Sequence, residues 1–443
     1  MCGPRRLTEG HTHRRETPVR VETNPDHVKA RAFFRRVISL ASAESEARIA
    51  AVVHLVDSAI PFIPALDERY PVQAILGKPS SIQRSARDYL RAAVPDREFV
   101  LDKEAFRKEP EQIIREAFPP VLEAAEPVSV VLLDIGGYFV SAEDGPARGL
   151  LRIASELEGR GYQLRGVVED TENGHKRYES AAAHLPSGCG FSIYSVARSP
   201  LKRPENHLVG VAVTFSIEAL LRKSNIVLQS RRAGVIGFGP IGRSVAHSLR
   251  NRGIPVSVCE IDPIQLASAA AQGFRVFDYR HHFEDFARDL NLVVSATGAG
   301  ADRDAGKRPL DGDHVRLLQR GAFVASVTSC DDEIDVRSIA DAGYRSQKSY
   351  NPDVHRWIDF AAPDHDRHFF YLMLEGNAVN FKHEGVIGPA IQLLQGEIAA
   401  CVSKLLDGVP RDADRVHVLS DVERREVADI WLDQYLADST LVE

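Results

Sequence analysis

Gly234-Val-Ile-Gly-Phe-Gly-Pro-Ile-Gly-Arg243, followed by Val256-Ser-Val-Cys-Glu-Ile-Asp-Pro-Ile264, decides the fold of this chain. An apolar run enters a glycine-rich turn, an amphipathic segment follows, and a second apolar run ends on Glu260. That order predicts strand, turn, helix and strand, the first half of a dinucleotide-binding unit. Gly237 permits the tight turn, Gly239 lets the backbone approach a pyrophosphate, and Gly242 lets helix and strand pack closely. The helix N-terminus then offers its unbonded N–H groups to phosphate. Glu260 stands about twenty residues beyond the glycines, where a carboxylate accepts ribose hydroxyls and repels a 2′-phosphate. NAD rather than NADP is the expected cofactor. A glycine pattern alone also occurs in unliganded strand–helix turns; here the strand, the helix and the acid agree. Arg243, just past the glycines, is expected to be solvated or near phosphate.

The 443 residues exceed what one domain usually holds, so two are expected. Hydrophobic residues make up 44% and charged residues 26%, an ordinary balance for a soluble enzyme. A net charge of −7 disfavours a nucleic-acid partner, which needs a basic face. No apolar run reaches the roughly 18 to 20 residues that cross a bilayer, so no membrane partner is expected. Cys2, Cys189, Cys259, Cys330 and Cys401 form an odd, scattered set, which fits a reducing cytoplasm. Arg280-His-His282 and Asp364-His-Asp-Arg-His368 offer no ligand frame, so no metal is expected. Residues 1–25 are arginine- and proline-bearing, lack a signal-type apolar region, and read as a disordered leader.

From about His27 to Ile60 the apolar spacing is helical, as in Ala30, Phe33, Phe34, Val37 and Ile38. Strand-like runs then alternate with helical stretches: Ala74-Ile-Leu76, Val128 to Asp134, Gly149 to Leu157, and Leu164 to Val168. That rhythm builds a parallel sheet with helices on its faces. A helix over Phe215 to about Asn225 leads into the glycine-rich unit, and Asn291 to Gly298 and Ala322 to Val327 read as further buried strands. Gly388 to about Leu406 and Val422 to Leu436 are helical. The expected architecture is α/β, two Rossmann-like parallel-sheet domains joined by a hinge. Residues 26–214 form the substrate domain, 215–380 the NAD-binding domain, and 381–443 return as helices to the first.

Several segments together resemble S-adenosylhomocysteine hydrolase (adenosylhomocysteinase). They include Glu260-Ile-Asp-Pro-Ile-Gln265, Ala296-Thr-Gly298 and Asp332-Glu-Ile-Asp335. Leu133-Asp-Ile-Gly-Gly137, Gly166 to Gly174, Glu375-Gly-Asn-Ala-Val-Asn380 and Val416-His-Val-Leu419 follow in collinear order. The similarity runs from about residue 45 to 436. It implies a temporary oxidation in which NAD removes hydride from C3′ of an adenosine moiety. A base then takes the acidified C4′ proton, the 5′-substituent leaves, and the hydride returns.

Carried over residue by residue, the resemblance makes Lys202, with Glu205 and Asn206, the group that assists loss of the 3′-hydroxyl proton; a solvated lysine in a basic-proline turn is the alternative. His54 falls where the family has a histidine near the 5′-position, although a lone histidine among apolar residues is often a core group. Asp170 stands for the glutamate that grips the ribose hydroxyls. Thr171, Glu172 and Asn173 replace a threonine triplet at the nicotinamide end, with only the threonine retained, and a polar β-α loop is the alternative. The cofactor surface would comprise Gly237, Phe238, Gly239, Pro240, Ile241, Gly242, Glu260, Ile261, Gln265, Thr297, Gly298, Val327 and Asn380, the last meeting the nicotinamide carboxamide.

The departures are equally specific. The family's second aspartate is Ile135, which cannot take a proton, and a family histidine is Ser329. A family cysteine is unmatched, and the substrate-orienting histidine is missing from Val386-Ile-Gly-Pro389, with His383 a nearby substitute. Ser81 and Gln83 keep a polar loop that is also readable as a turn. The sequence given ends at Glu443 without the family's Lys/Tyr tail, so completion of the site by a neighbouring protomer is in doubt, although a homo-oligomer (dimer or tetramer) is still expected. The resulting expectation is an NAD-dependent enzyme acting on an adenine nucleoside or related substrate, eliminating the 5′-substituent as a dehydratase or lyase to leave a 4′,5′-unsaturated sugar. An S-adenosylhomocysteine hydrolase, an inactive NAD-binding regulator and a simple dehydrogenase are the alternatives.

Overall fold

The computed structural model describes residues 24–40, 46–121, 125–140, 143–298, 308–328, 333–408 and 415–436. Residues 1–23 of the expected leader, Ser329 and Cys330 lie outside these, whereas Asn24 and Pro25 cap and begin the first helix. The chain divides into two compact units, one running to Lys202 and resuming at Ile387, the other spanning Arg203–Val386. These divisions differ from the 214/215 and 380/381 boundaries expected above. A single helix, Arg203–Lys223, occupies the first of them and belongs wholly to the second unit.

In the first unit, β1 (Ala47–Leu55), β2 (Val72–Ile82), β3 (Glu98–Val100), β4 (Val128–Asp134), β5 (Tyr162–Glu169) and β6 (Ser192–Ser195) pair with the short strand Val416–His417. The order is Val416–His417, β6, β5, β4, β1, β2, β3, and all these pairings are parallel. The order of connection across the sheet reverses between β1 and β4. In such sheets a crevice opens there, beyond the carboxyl ends of the strands.

Alternate residues feed two cores. Ile49, Ala51, Val53 and Leu55 pack on one face of β1, and Ala50 and Val52 on the other. The first face is covered by helices Pro25–Ile38 and Pro389–Asp407, which explains why the C-terminal segment returns. Phe33 and Phe34 are fully buried there, each contributing about 2 kcal/mol by burial. Gly396 permits the close helix crossing, since a Cβ on it would stand 2.5 Å from the Phe33 ring.

Burial on both faces also corrects the sequence reading of His27 to Ile60. The helix ends at Ile38, and Ala47–Leu55 is an interior strand of the sheet. A strand buried on both sides has a continuous apolar run without alternation, which periodicity does not separate from a helix.

The second unit repeats the plan. Its strands are β7 (Ala233–Ile236), β8 (Val256–Glu260), β9 (Arg275–Asp278), β10 (Leu292–Ser295), β11 (Phe323–Ser326), β12 (Tyr344–Lys348), β13 (Val354–Asp359) and β14 (Phe369–Met373). Their order is β12, β13, β14, β11, β10, β7, β8, β9, with β13 antiparallel to both neighbours. The switch point lies between β7 and β10. Among the described residues, no helix is long and apolar enough to cross a membrane.

Candidate active site

The glycine turn follows β7 at the switch point. Gly237 has φ +92°, and a Cβ on it would meet the Ala296 carbonyl oxygen at 2.6 Å. A Cβ on Gly242 would stand 2.1 Å from the Gly237 carbonyl oxygen, so both positions require glycine. Gly239 differs: nothing lies within 4 Å of its would-be Cβ. It starts the helix Pro240–Asn251 without a side-chain cap, with proline at N1. The N–H groups of Ile241 and Gly242, in the first turn of that helix, have no intrahelical partner, as a phosphate site requires.

Glu260 ends β8 and is nearly buried, at 8% exposure. Its carboxylate accepts from the N–H groups of Phe238 at 2.6 Å, Ile261 at 2.7 Å and Asp262 at 2.9 Å. Those bonds fix it against the glycine turn and leave part of its accepting capacity for a ribose hydroxyl. Ile261 is 55% exposed beside it, an apolar surface for a base ring. Gln265 pairs with Arg243 at 3.2 Å, so Arg243 lies along the helix flank.

After β10, Thr297 and Gly298 are held by a residue that sequence reasoning left without a role. Glu333 is fully buried and accepts from Ser295 Oγ at 2.5 Å, Thr297 N–H at 3.1 Å, Thr297 Oγ1 at 2.9 Å and Gly298 N–H at 2.6 Å. The signal was its place in Asp332-Glu-Ile-Asp335, an acid beside the end of a buried strand. Val327, also buried, donates its N–H to Ser295 O at 3.1 Å.

Asn380 supplies the test of cofactor fit. Its side chain is buried, and its amide oxygen has no hydrogen-bond partner among the described residues. An orphaned buried acceptor calls for a donor, and a carboxamide N–H₂ of bound nicotinamide is one. The loop before it turns through Leu374 (φ +47°), Glu375 (φ +54°) and Gly376 (φ +87°). Two non-glycine residues in that region mark backbone strain of the kind concentrated at functional sites. His383 follows, with Nδ1 3.0 Å from Ser216 Oγ and its ring edge-on to Phe215. Burial first, then Lys223 and Lys382, lower its proton affinity.

In the first unit, three of the expected catalytic residues come together at the carboxyl ends of the strands. Lys202 Nζ donates to Asp170 Oδ1 at 2.6 Å and to the Asp170 carbonyl at 3.1 Å. Both side chains are mostly buried, at 12% and 18% exposure. His54, near the end of β1, lies close enough to Lys202 to feel its charge. Burial first, then Lys78 and Lys202, hold the imidazole well below its usual pKa, so it is neutral at physiological pH.

His54 Nδ1 lies 2.5 Å from Ser81 Oγ, whose own proton goes to the Lys78 carbonyl at 3.2 Å. That network assigns the His54 proton to Nδ1, leaving Nε2 as the basic nitrogen. Ser81 is therefore the histidine's partner. Gln83 donates its backbone N–H to Leu55 O at 2.7 Å.

Ile135 packs against the core face that holds Leu133 and Leu201, with no proton acceptor of its own. Behind it lies a buried acidic pair that sequence reasoning did not single out. Glu169 accepts from the N–H groups of Gly136, Gly137 and Thr171 at 3.0, 2.9 and 2.6 Å. Asp134 accepts from Tyr178 Oη at 2.7 Å and Phe139 N–H at 3.1 Å. Burial, then the Asp134 carboxylate, push Glu169 up to about 8. The pair ties the loops after β4 and β5 into one platform beneath Asp170.

Glu397 plays a similar part under Lys202. It is fully buried, ion-paired to Arg424 at 3.0 Å and hydrogen-bonded by Ser199. Ser199 in turn accepts the Lys202 N–H on its carbonyl at 3.1 Å.

The remaining expectations fare differently. Thr171 Oγ1 caps the helix Glu172–Ala182 and donates to Glu169 Oε1 at 2.8 Å. Glu172 is ion-paired with Arg198 at 2.6 Å. Its carboxylate is committed to that surface pair, which competes with the nicotinamide contact expected of it. Asn173 follows in the first turn of the same helix. Glu205 and Asn206 lie in the first turn of Arg203–Lys223, and His383 follows the Asn380 loop; all three belong to the second unit. Among the described residues, no three His, Cys, Asp or Glu side chains converge as a metal site.

Residues 212–384 match the family model described as the NAD binding domain of S-adenosyl-L-homocysteine hydrolase. Over 287 residues the chain is 26% identical to the S-inosyl-L-homocysteine hydrolase of Methanopyrus kandleri. The match covers 62% of this chain and 63% of that relative, somewhat under two thirds of its length. Among solved structures, a glyoxylate reductase from Paecilomyes thermophila is 12% identical with a TM-score of 0.42, covering 84% of this chain and 98% of that one. A transhydrogenase from Sinorhizobium meliloti is 11% identical with a TM-score of 0.39, covering 84% and 99%. The cofactor of the second unit is NAD.

Proposed function

We propose that this divergent member of the adenosylhomocysteinase superfamily is an NAD-dependent enzyme that modifies the sugar of a nucleoside. The observation that carries the reading is the Lys202–Asp170 pair beside a neutral His54, at the switch-point edge of the first sheet. Bound NAD would supply a reversible hydride acceptor for the sugar carbon bearing the 3′-hydroxyl. Glu260, the glycine turn and Asn380 would hold it at its ribose, pyrophosphate and carboxamide.

This chain's own residues then divide the proton transfers. Asp170 accepts from Lys202, which relays the 3′-hydroxyl proton by giving one N–H proton to the Asp170 carboxylate as its nitrogen takes the hydroxyl's. Oxidation at C3′ acidifies the neighbouring C4′ proton. With an isoleucine at 135, the base for that proton is His54 through Nε2, fixed by Ser81. Ile135 lends the site an apolar wall that excludes water. We read the reaction as elimination of the 5′-substituent to a 4′,5′-unsaturated nucleoside, followed by hydride return. A second reading is hydrolysis of an S-nucleosyl-homocysteine, favoured by the 26% match to the S-inosyl-L-homocysteine hydrolase.

Adenosine, inosine and their S-homocysteine conjugates, incubated with the protein in D₂O, separate these. Deuterium at C4′ of the recovered substrate is the expected result for either reading. Loss of a water mass from the free nucleosides identifies elimination, and a thiol released from a conjugate identifies hydrolysis. Absence of exchange in every substrate contradicts the proposal and favours a regulatory NAD-binding protein.

A further inference from the structure

The second sheet carries an aromatic strip at the end away from the glycine turn. Phe323 opens β11 and Phe369 opens β14, and both strands run parallel to β7, whose far end holds that turn. Phe323 pairs in register with Tyr371, and Tyr371 with Arg356 on β13, so these side chains and Phe369 share one face. The opposite face, with Trp357, Phe370 and Leu372, belongs to the core. Phe323 stacks on Tyr371 at 4.8 Å, and Tyr371 meets Phe369 edge-on at 5.8 Å.

Three arginines sit on this strip. The Arg356 guanidinium lies 4.1 Å from the centre of the Phe369 ring, and that of Arg320, from the turn before β11, lies 5.2 Å from the same centre. Arg231, just before β7, stands 5.9 Å from the centre of Phe323. Among the described residues, none of these guanidiniums has a hydrogen-bond or ion-pair partner. The Nε–H groups of Arg231 and Arg356 are buried as well. Buried donors of this kind call for an acceptor. Their neighbours differ: Arg232 is paired with Asp289 at 3.8 Å, and Arg367 with Asp364 at 2.6 Å. An aromatic ring orients a guanidinium and shields one side from water, but carries no net charge to offset it.

We propose that Arg231, Arg320 and Arg356 bind a phosphorylated small molecule through a diphosphate group. Planar guanidinium forks match phosphate oxygens, and a diphosphate carries enough charge to offset all three cations, as a single carboxylate does not. Arg356 and Arg320 approach Phe369 from the strands on either side of β14, two strand spacings or roughly 10 Å apart at the backbone, and converge on one ring. A second copy docked here by two-fold symmetry would set these arginines against their own mates. The net charge of −7 disfavours a nucleic acid. Because the strip lies at the opposite end of the strands from the glycine turn, such a ligand would not compete with NAD.

Calorimetric titration of the NAD-saturated protein with sodium pyrophosphate at low ionic strength tests this, the saturating NAD keeping the probe off the glycine turn. One-site binding is expected, weakened about tenfold in Arg356→Gln and likewise in Arg320→Gln. Arg356→Lys, which keeps the charge and loses the fork, should bind between wild type and Arg356→Gln. Arg35→Gln, at a surface arginine paired with Glu68 in the first unit, should bind as the wild type does. Wild-type affinity should fall as salt rises, a readout that needs no variant. No binding by the wild type, or binding unchanged in both Arg356→Gln and Arg320→Gln, overturns the proposal. A short oligothymidylate held more tightly than pyrophosphate through the same arginines overturns the small-molecule assignment in favour of nucleic acid. A dimer that Arg356→Gln dissociates overturns it in favour of an interface between copies.

Discussion

Lys202→Ala protein, given a nucleoside that the wild type oxidises, is expected to show no reduced nicotinamide while retaining its full complement of NAD. The reason is positional. Lys202 Nζ sits 2.6 Å from Asp170 Oδ1 in a mostly buried pair, and alanine leaves no group to relay the 3′-hydroxyl proton to that carboxylate. Loss of a placed acid–base group costs about 10²- to 10⁴-fold in rate, which single-turnover absorbance reads directly. Cofactor should stay because Gly239, Glu260 and Asn380 belong to the other unit. Removing one partner of the pair also leaves the Asp170 carboxylate uncompensated, at about 1–3 kcal/mol. The double variant Lys202→Ala with Asp170→Asn relieves that cost and should remain equally inactive. Unchanged turnover in Lys202→Ala would remove the lysine from the mechanism.

A second pair of substitutions should separate folding from cofactor retention. Gly239 has φ −63°, which alanine adopts freely, and its Cβ would meet nothing within 4 Å. Gly239→Ala is therefore expected to leave the apoprotein as stable as the wild type, or more so by about 0.4–1 kcal/mol through the unfolded state. The same methyl would stand where the backbone must approach a pyrophosphate, so NAD affinity should fall by about 10- to 100-fold, or 1.4–2.7 kcal/mol. Gly242→Ala should do the opposite kind of damage. Its Cβ would be driven to 2.1 Å from the Gly237 carbonyl oxygen, a backbone atom that cannot give way. The expected loss is about 3 kcal/mol or more of apoprotein stability, with cofactor lost alongside. Thermal unfolding of both apoproteins and NAD titration of each distinguish the cases. Wild-type NAD affinity in Gly239→Ala would mean that the pyrophosphate does not lie at this turn.

The two sheets were legible in the chain to different degrees, for physical reasons. The turn around Gly237 is visible because everything it needs is local: a strand, three glycines, a helix and an acid at fixed spacing. β1 was hidden because its two faces are both covered, so Ala47–Leu55 shows no alternation. Glu169 and Glu333 act by collecting N–H and O–H groups from loops that only the folded chain brings near. No sequence spacing announces such a role. The grouping of Arg231, Arg320 and Arg356 is further from view, because it depends on the register of β11, β13 and β14. The resemblance singled out His54, Asp170 and Lys202, which the fold brings together. It gave no hint that Thr171 and Glu172 are occupied by a helix cap and by Arg198.

Everything proposed for the sugar depends on a redox cofactor residing beside the glycine turn. Acid-released supernatant of the purified protein, assayed enzymatically for nicotinamide nucleotides, addresses this most directly. Near-stoichiometric NAD, with little NADP, is the predicted result. A protein that neither carries nor takes up NAD when supplied with it would contradict the account at its root.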